Sequence, residues 1–126
     1  MVFPSVELVE ALQAEMIEAY GGSHGLRDRG LLESAVARAD NLAYYNPDAT
    51  IAEVAGSLAW GLIKNHAFID GNKRVGFAAL VACLEMNGCR LTCSEEEETG
   101  MVLRAAASEI GEEEWTAWVV RSVGRV

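Results

Sequence analysis

The chain has 126 residues, enough for one domain with a real core and too few for two ordinary ones. Hydrophobic residues make up 51% of it and charged residues 23%, a balance that excludes a disordered chain. The formal charge of −9, with no basic stripe, argues against direct nucleic-acid binding and against adsorption to an anionic membrane, yet leaves room for a local phosphate site and a basic partner segment.

In chain order, Ser5 is placed to cap a first helix with Val6, Val9, Leu12, Met16 and Ile17 near helical spacing, and Gly21-Gly22 ends it. Its acidic Glu7, Glu10 and Glu15 do not follow the basic-then-apolar layout of a signal peptide. No apolar run approaches the ~20 residues that cross a bilayer, so a cytoplasmic protein is expected. After a loop at 23–28, Asp28 caps a second helix with Leu31, Leu32, Ala35, Val36 and Ala39 inward. The stretch Tyr44–Asp48, with Asn46-Pro47-Asp48, reads as a turn. Thr50 and Glu53 form a capping box for a third helix to about Asn65, with Ile51, Val54, Ala55, Leu58, Leu62 and Ile63 on its apolar stripe.

A fourth helix is predicted from about Asn72 to Asn87, ended by Gly88, and Cys89–Cys93 reads as short extended chain. Ser94 with Glu97 predicts a capping box for a fifth helix to about Glu109, the run Glu95–Glu98 being a solvated helix start. Gly111 breaks the pattern before a last helix, about Glu112 to Val123. Nothing alternates long enough to predict a sheet. The expectation is all-α: one domain, residues 1–126, of about six helices. The three cysteines, Cys83, Cys89 and Cys93, read as reduced thiols without the further ligands a zinc set needs. Trp60, Trp115 and Trp118 are expected in the core or a groove, and His24 in a surface loop.

One stretch departs from this pattern. Between the two most apolar helices, Lys64 to Arg74 gathers an imidazole, a carboxylate, an amide and several cations, where a connector needs only a polar turn. Gly71 allows close backbone approach to a ligand, and Asn72 opens a helix whose first N–H groups point at whatever anion lies ahead. Lys73 and Arg74 sit in that first turn, unfavourable on dipole grounds unless an anion is bound there. Asp70 suits a Mg²⁺ ion that bridges phosphates and keeps most of its waters. An imidazole titrates near neutrality, at about 6.5, so His66 is a candidate base for a hydroxyl. Taken singly, each residue has a plainer reading: a helix-end histidine, a turn, two solvated cations. Phe68 is read as an anchor into the core. Their coincidence within nine residues carries the functional reading.

The run His66-Ala67-Phe68-Ile69-Asp70-Gly71-Asn72-Lys73-Arg74 resembles the signature loop of the Fic/Doc family, His-x-Phe-x-(Asp/Glu/Asn)-(Gly/Ala)-Asn-(Gly/Lys)-Arg, at every fixed position. The segment from Gly25 to Ala35 is similar to the early helix of the family's Doc branch, so the likeness covers most of the chain. The resemblance implies a Fic-fold helical bundle. Lys73, where Fic adenylyltransferases usually have glycine, implies the Doc branch, in which the γ-phosphoryl group of ATP passes to a threonine of elongation factor Tu and translation stops. Ala67, in place of the proline usual in Fic proteins, is tolerated on that side. Carried onto these positions, the resemblance implies His66 as catalytic base and Asp70 as Mg²⁺ ligand. Gly71 and Asn72 become the backbone part of the phosphate site, and Lys73 and Arg74 the ligands of the ATP phosphates. It further implies a cognate antitoxin whose C-terminal segment folds as a helix into a groove. The inhibitory pattern (Ser/Thr)-x-x-x-Glu-(Gly/Asn) of many Fic proteins is not matched; Ser94–Thr99 and Ser108–Glu113 each fail at the last position. The rival readings are AMP transfer on the same scaffold and a peptide-binding helical module without catalysis.

Overall fold

Local caps set where the helices begin. In the computed structural model, which describes residues 1–126, the Ser5 side chain accepts the Leu8 N–H to open α1 (Val6–Tyr20), and Asp28 accepts the Leu31 N–H to open α2 (Arg29–Tyr45). Thr50 and Glu53 complete a reciprocal capping box at the head of α3 (Ile51–Asn65). Then come α4 (Asn72–Met86), β1 (Cys89–Leu91), α5 (Glu95–Ala106), α6 (Glu112–Ser122) and β2 (Val123–Arg125). The six helices make an all-α bundle, and no helix is long and apolar enough to cross a membrane.

α3 is the axis of the bundle. Its run Val54–Ala59 and its Gly61, Leu62 and Ile63 are all buried, so it is covered on every side rather than along one stripe. α2, α4 and α6 pack around it, and α1 lies against α4. Trp115 and Trp118 are fully buried between α6 and its neighbours, and the Trp115 indole donates to the Gly56 carbonyl at 3.0 Å. Trp60 is only half-buried, its ring tilted 47° to that of Trp115 with 6.3 Å between centroids. Arg38 of α2 pairs with Glu112 at the start of α6.

Several boundaries differ from those the sequence predicts. α2 continues through Tyr44 and Tyr45, and the turn begins only at Asn46, whose side chain accepts the Asp48 N–H. α5 stops at Ala106 instead of running to Glu109, because Ser108 turns left-handed with φ 61° and Lys64 of α3 binds its hydroxyl and the Ala105 carbonyl. The Ser94 cap is half of a box: Ser94 accepts the Glu97 N–H, but the Glu97 carboxylate turns away to accept the Trp118 indole N–H at 3.3 Å. The last helix ends at Ser122, and Val123–Arg125 pairs antiparallel with Cys89–Leu91, Arg90 opposite Gly124. A three-residue strand of this kind exists only because its partner is there.

Candidate active site

The reversal between α3 and α4 is built around His66. This residue caps α3 in the left-handed conformation, φ 52° and ψ 49°. Glycine usually takes such a position, since a Cβ there costs about 1–2 kcal/mol; a histidine stays there only if its surroundings hold it. Two sets of contacts do so. Arg27 donates from Nε and Nη2 to the His66 carbonyl at 2.9 and 2.6 Å. The backbone of 25–28 lies along the loop as a single antiparallel bridge, Leu26 opposite Phe68. Arg27 and Asp28 N–H groups donate to the Ala67 carbonyl at 2.8 and 3.0 Å, and Ile69 N–H donates to the Gly25 carbonyl at 3.0 Å.

Ala67 and Phe68 are buried, so Phe68 is the core anchor its sequence context suggests. Asn72 is buried as well, and its amide closes a ring with Phe68. It accepts the Phe68 N–H and donates to the Phe68 carbonyl, both at 3.0 Å. The Asn72 side chain is therefore committed to the loop's own shape, and only its backbone remains free to meet a ligand.

The start of α4 is left open. Gly71 precedes it with φ 74° and provides no side-chain cap. The N–H groups of Asn72, Lys73 and Arg74 have no acceptor within the protein, and Val75 is the first to bond, to the Gly71 carbonyl at 2.9 Å. Three unpaired donors at the positive end of a helix form an anion receptor. Lys73 is exposed and makes no ion pair; Arg74 is exposed and lies over the Tyr20 ring, its guanidinium carbon 4.7 Å from the centroid.

Asp70 is exposed between this helix start and the α1–α2 loop. Its two oxygens accept N–H groups of Gly71, at 2.9 Å, and Ser23, at 3.2 Å. Position 22 favours glycine: its φ is 112°, and a Cβ there would lie 2.6 Å from the carboxylate, displacing it. No cluster of three or more His, Cys, Asp or Glu side chains occurs that could hold a metal by itself. One carboxylate beside an anion receptor instead fits a Mg²⁺ ion that takes most of its oxygens from phosphates and water.

His66, Asp70, Gly71, Asn72, Lys73 and Arg74 all line one cleft of about 1130 Å³, bounded by α1, α4 and α5. The structure thus brings together every site residue the sequence points to. The cleft is polarised. Along α4 its lining runs from Lys73, Arg74 and the open N–H groups at the helix start, through Phe77 and Val81, to Glu85 near the helix end; Leu12 and Met16 of α1 and Glu95 and Glu98 of α5 also line it. Partial burial, and then the Glu95 charge, raise the Glu98 carboxyl above the usual range. So the acidic run is not merely a solvated helix start: two of its members face the cleft. Sequence reasoning passed over Gln13, which is buried and donates to the Asp70 carbonyl at 3.1 Å. A single amide on the apolar face of α1 was its only signal. Arg27 lies in the Gly25–Ala35 segment, where nothing local distinguishes it from a solvated cation. His24 is exposed and pairs with Glu18 on the surface.

A six-helix bundle whose central turn sets a histidine beside an open helix start is the build of a Fic-type domain. The model of the Fic/DOC family matches residues 3–84, more than half of the chain, and the protein belongs to that family. It is similar to "Toxin Doc" of Mycolicibacterium smegmatis, with 43% identity over 75 residues. That match takes in 58% of this chain and spans 57% of the relative's length.

Proposed function

We propose that this chain is the toxin of a toxin–antitoxin pair, an ATP-dependent protein phosphotransferase. It transfers the γ-phosphoryl group to a hydroxyl of a cytoplasmic protein; by family resemblance the acceptor is a threonine of elongation factor Tu. The observation that carries the reading is the open start of α4: three N–H groups without partners, flanked by Lys73 and Arg74, in the same cleft as His66. Phosphoryl transfer asks a protein for positioning and for charge stabilisation more than for covalent chemistry, and this arrangement supplies both.

In this reading the α4 N–H groups, Lys73 and Arg74 bind the polyphosphate and offset the charge that develops during transfer. Asp70 holds Mg²⁺, which neutralises phosphate charge when bound. His66 takes the proton of the attacking hydroxyl. Lys73 favours γ-phosphoryl over AMP transfer, because its side chain and charge occupy the space that glycine leaves for the α-phosphate-exposing pose. The apolar side chains and the glutamates that line the cleft suit the C-terminal segment of a cognate antitoxin, ordered on binding as a helix with basic groups.

The test is transfer from ATP labelled at either the α or the γ phosphate, with Mg²⁺ and a bacterial lysate, comparing wild type with His66→Ala. Label from the γ position alone should reach protein, and His66→Ala should lower the rate by ~10²–10⁴-fold. Label moving only from the α position would replace the kinase reading with AMP transfer. No transfer from either position, with toxicity unaffected by His66→Ala, would leave a non-catalytic binding module.

A further inference from the structure

The proposed base has no side-chain partner within the protein, so nothing holds its imidazole directly. What is held is its backbone: the 25–28 strand-like bridge holds the residues after it, and one exposed side chain alone grips the His66 carbonyl itself. We infer that Arg27 is a positioning residue for His66: its guanidinium fixes the left-handed cap from which the imidazole is presented to the cleft. The inference rests on the reading of His66 as the base.

Three observations converge on it. Arg27 directs two nitrogens at one carbonyl, that of His66, at 2.9 and 2.6 Å, and Nη2 also reaches the Asn65 carbonyl at 3.4 Å. These carbonyls lie at the end of α3, where the helix leaves acceptors unpaired and where a cation is favoured by the dipole. A planar fork fixes the direction of the carbonyl it grips, which a point charge on a flexible stem does not.

Second, His66 and Ser108 are the only non-glycine residues with positive φ, and Ser108 follows the end of another helix, α5, where its hydroxyl is held by Lys64. In both cases a cation from another element binds the left-handed residue. Third, Arg27 is itself anchored. Its N–H donates to the Ala67 carbonyl, and across the same seam the Asn65 amide donates to the Leu31 carbonyl at 3.0 Å. The grip therefore joins the entrance of α2 to the end of α3, 39 residues apart in the chain, and its loss would free the His66 peptide while leaving the Asn72–Phe68 ring and the open start of α4 in place.

That separation makes the role testable. Arg27→Ala and Arg27→Lys are compared with wild type for γ-phosphoryl transfer from Mg²⁺–ATP to purified elongation factor Tu, for Mg²⁺–ATP affinity by calorimetry, and for the backbone ¹³C shifts of His66. With Arg27→Ala, kcat should fall about 10²-fold, the loss expected when a catalytic group is misplaced by about an ångström. The Kd for Mg²⁺–ATP should stay within about twofold. Arg27→Lys keeps the charge and one donor, folds if Arg27→Ala does not, and should lose roughly tenfold in kcat. In both variants the His66 shifts should leave the left-handed range. A kcat within about twofold of wild type overturns the assignment. So does an ATP affinity that falls in step with kcat, the mark of general loosening. If wild type transfers nothing to this acceptor, the proposed reaction fails by itself, and the His66 shifts decide the positioning role: unchanged shifts in Arg27→Lys refute it.

Discussion

Replacing Asn72 by alanine separates the loop's architecture from its chemistry. The Asn72 amide is the sole partner of the Phe68 N–H and donates to the Phe68 carbonyl, both at 3.0 Å, and Phe68 is 3% exposed. Alanine leaves both groups unpaired. A buried polar group without its partner costs about 1–3 kcal/mol, and Asn72 borders the cleft, so water can re-satisfy part of the pair. A net loss of about 2–4 kcal/mol follows, read as a lower urea midpoint at unchanged slope. Asn72→Asp sharpens the test. It can still accept the Phe68 N–H, but it sets a second oxygen against the Phe68 carbonyl and a negative charge at the mouth of the anion receptor. It should therefore lose Mg²⁺–ATP affinity out of proportion to its loss of stability. An Asn72→Ala midpoint within about 0.5 kcal/mol of wild type would refute the claim that this amide holds the loop shut.

Three other substitutions and one titration test the packing and the site. In Gly76→Ala the new methyl would lie 2.6 Å from Ile63 Cγ1 and 3.3 Å from the Ala59 carbonyl, so the α3–α4 pair must spread; thermal melting should show a loss of about 1–3 kcal/mol. Burial pushes the Cys83 thiol from 9.0 up to about 11. Above pH 9 the unfolded chain gives up this proton while the folded one keeps it, so its contribution favours unfolding progressively between pH 9 and 11, by about 2–3 kcal/mol at most. Cys83→Ala should flatten that part of the stability–pH curve. Asp70→Asn removes the carboxylate charge but keeps an oxygen toward the Ser23 N–H. Calorimetry should find ATP binding that no longer strengthens with Mg²⁺, while the melting temperature stays near wild type.

The starts of the first three helices and the place of the site were legible in the sequence because their determinants are local. Ser5, Asp28 and Thr50 each act on an N–H three residues on, and the nine residues of the signature loop are contiguous. The sequence alone thus determined the all-α class, the family, and which side chains meet at the turn between α3 and α4. Tertiary structure decided what those side chains are free to do. It committed the Asn72 amide to Phe68, docked Asp70 on Ser23, and brought Arg27 from another helix entrance onto the His66 carbonyl. It also ended α6 at Ser122 so that Val123–Arg125 could pair with Cys89–Leu91. Each of these joins groups dozens of residues apart or turns a side chain inward. Periodicity and capping patterns extend over only a few residues, and carry no information about which distant backbone a side chain will find.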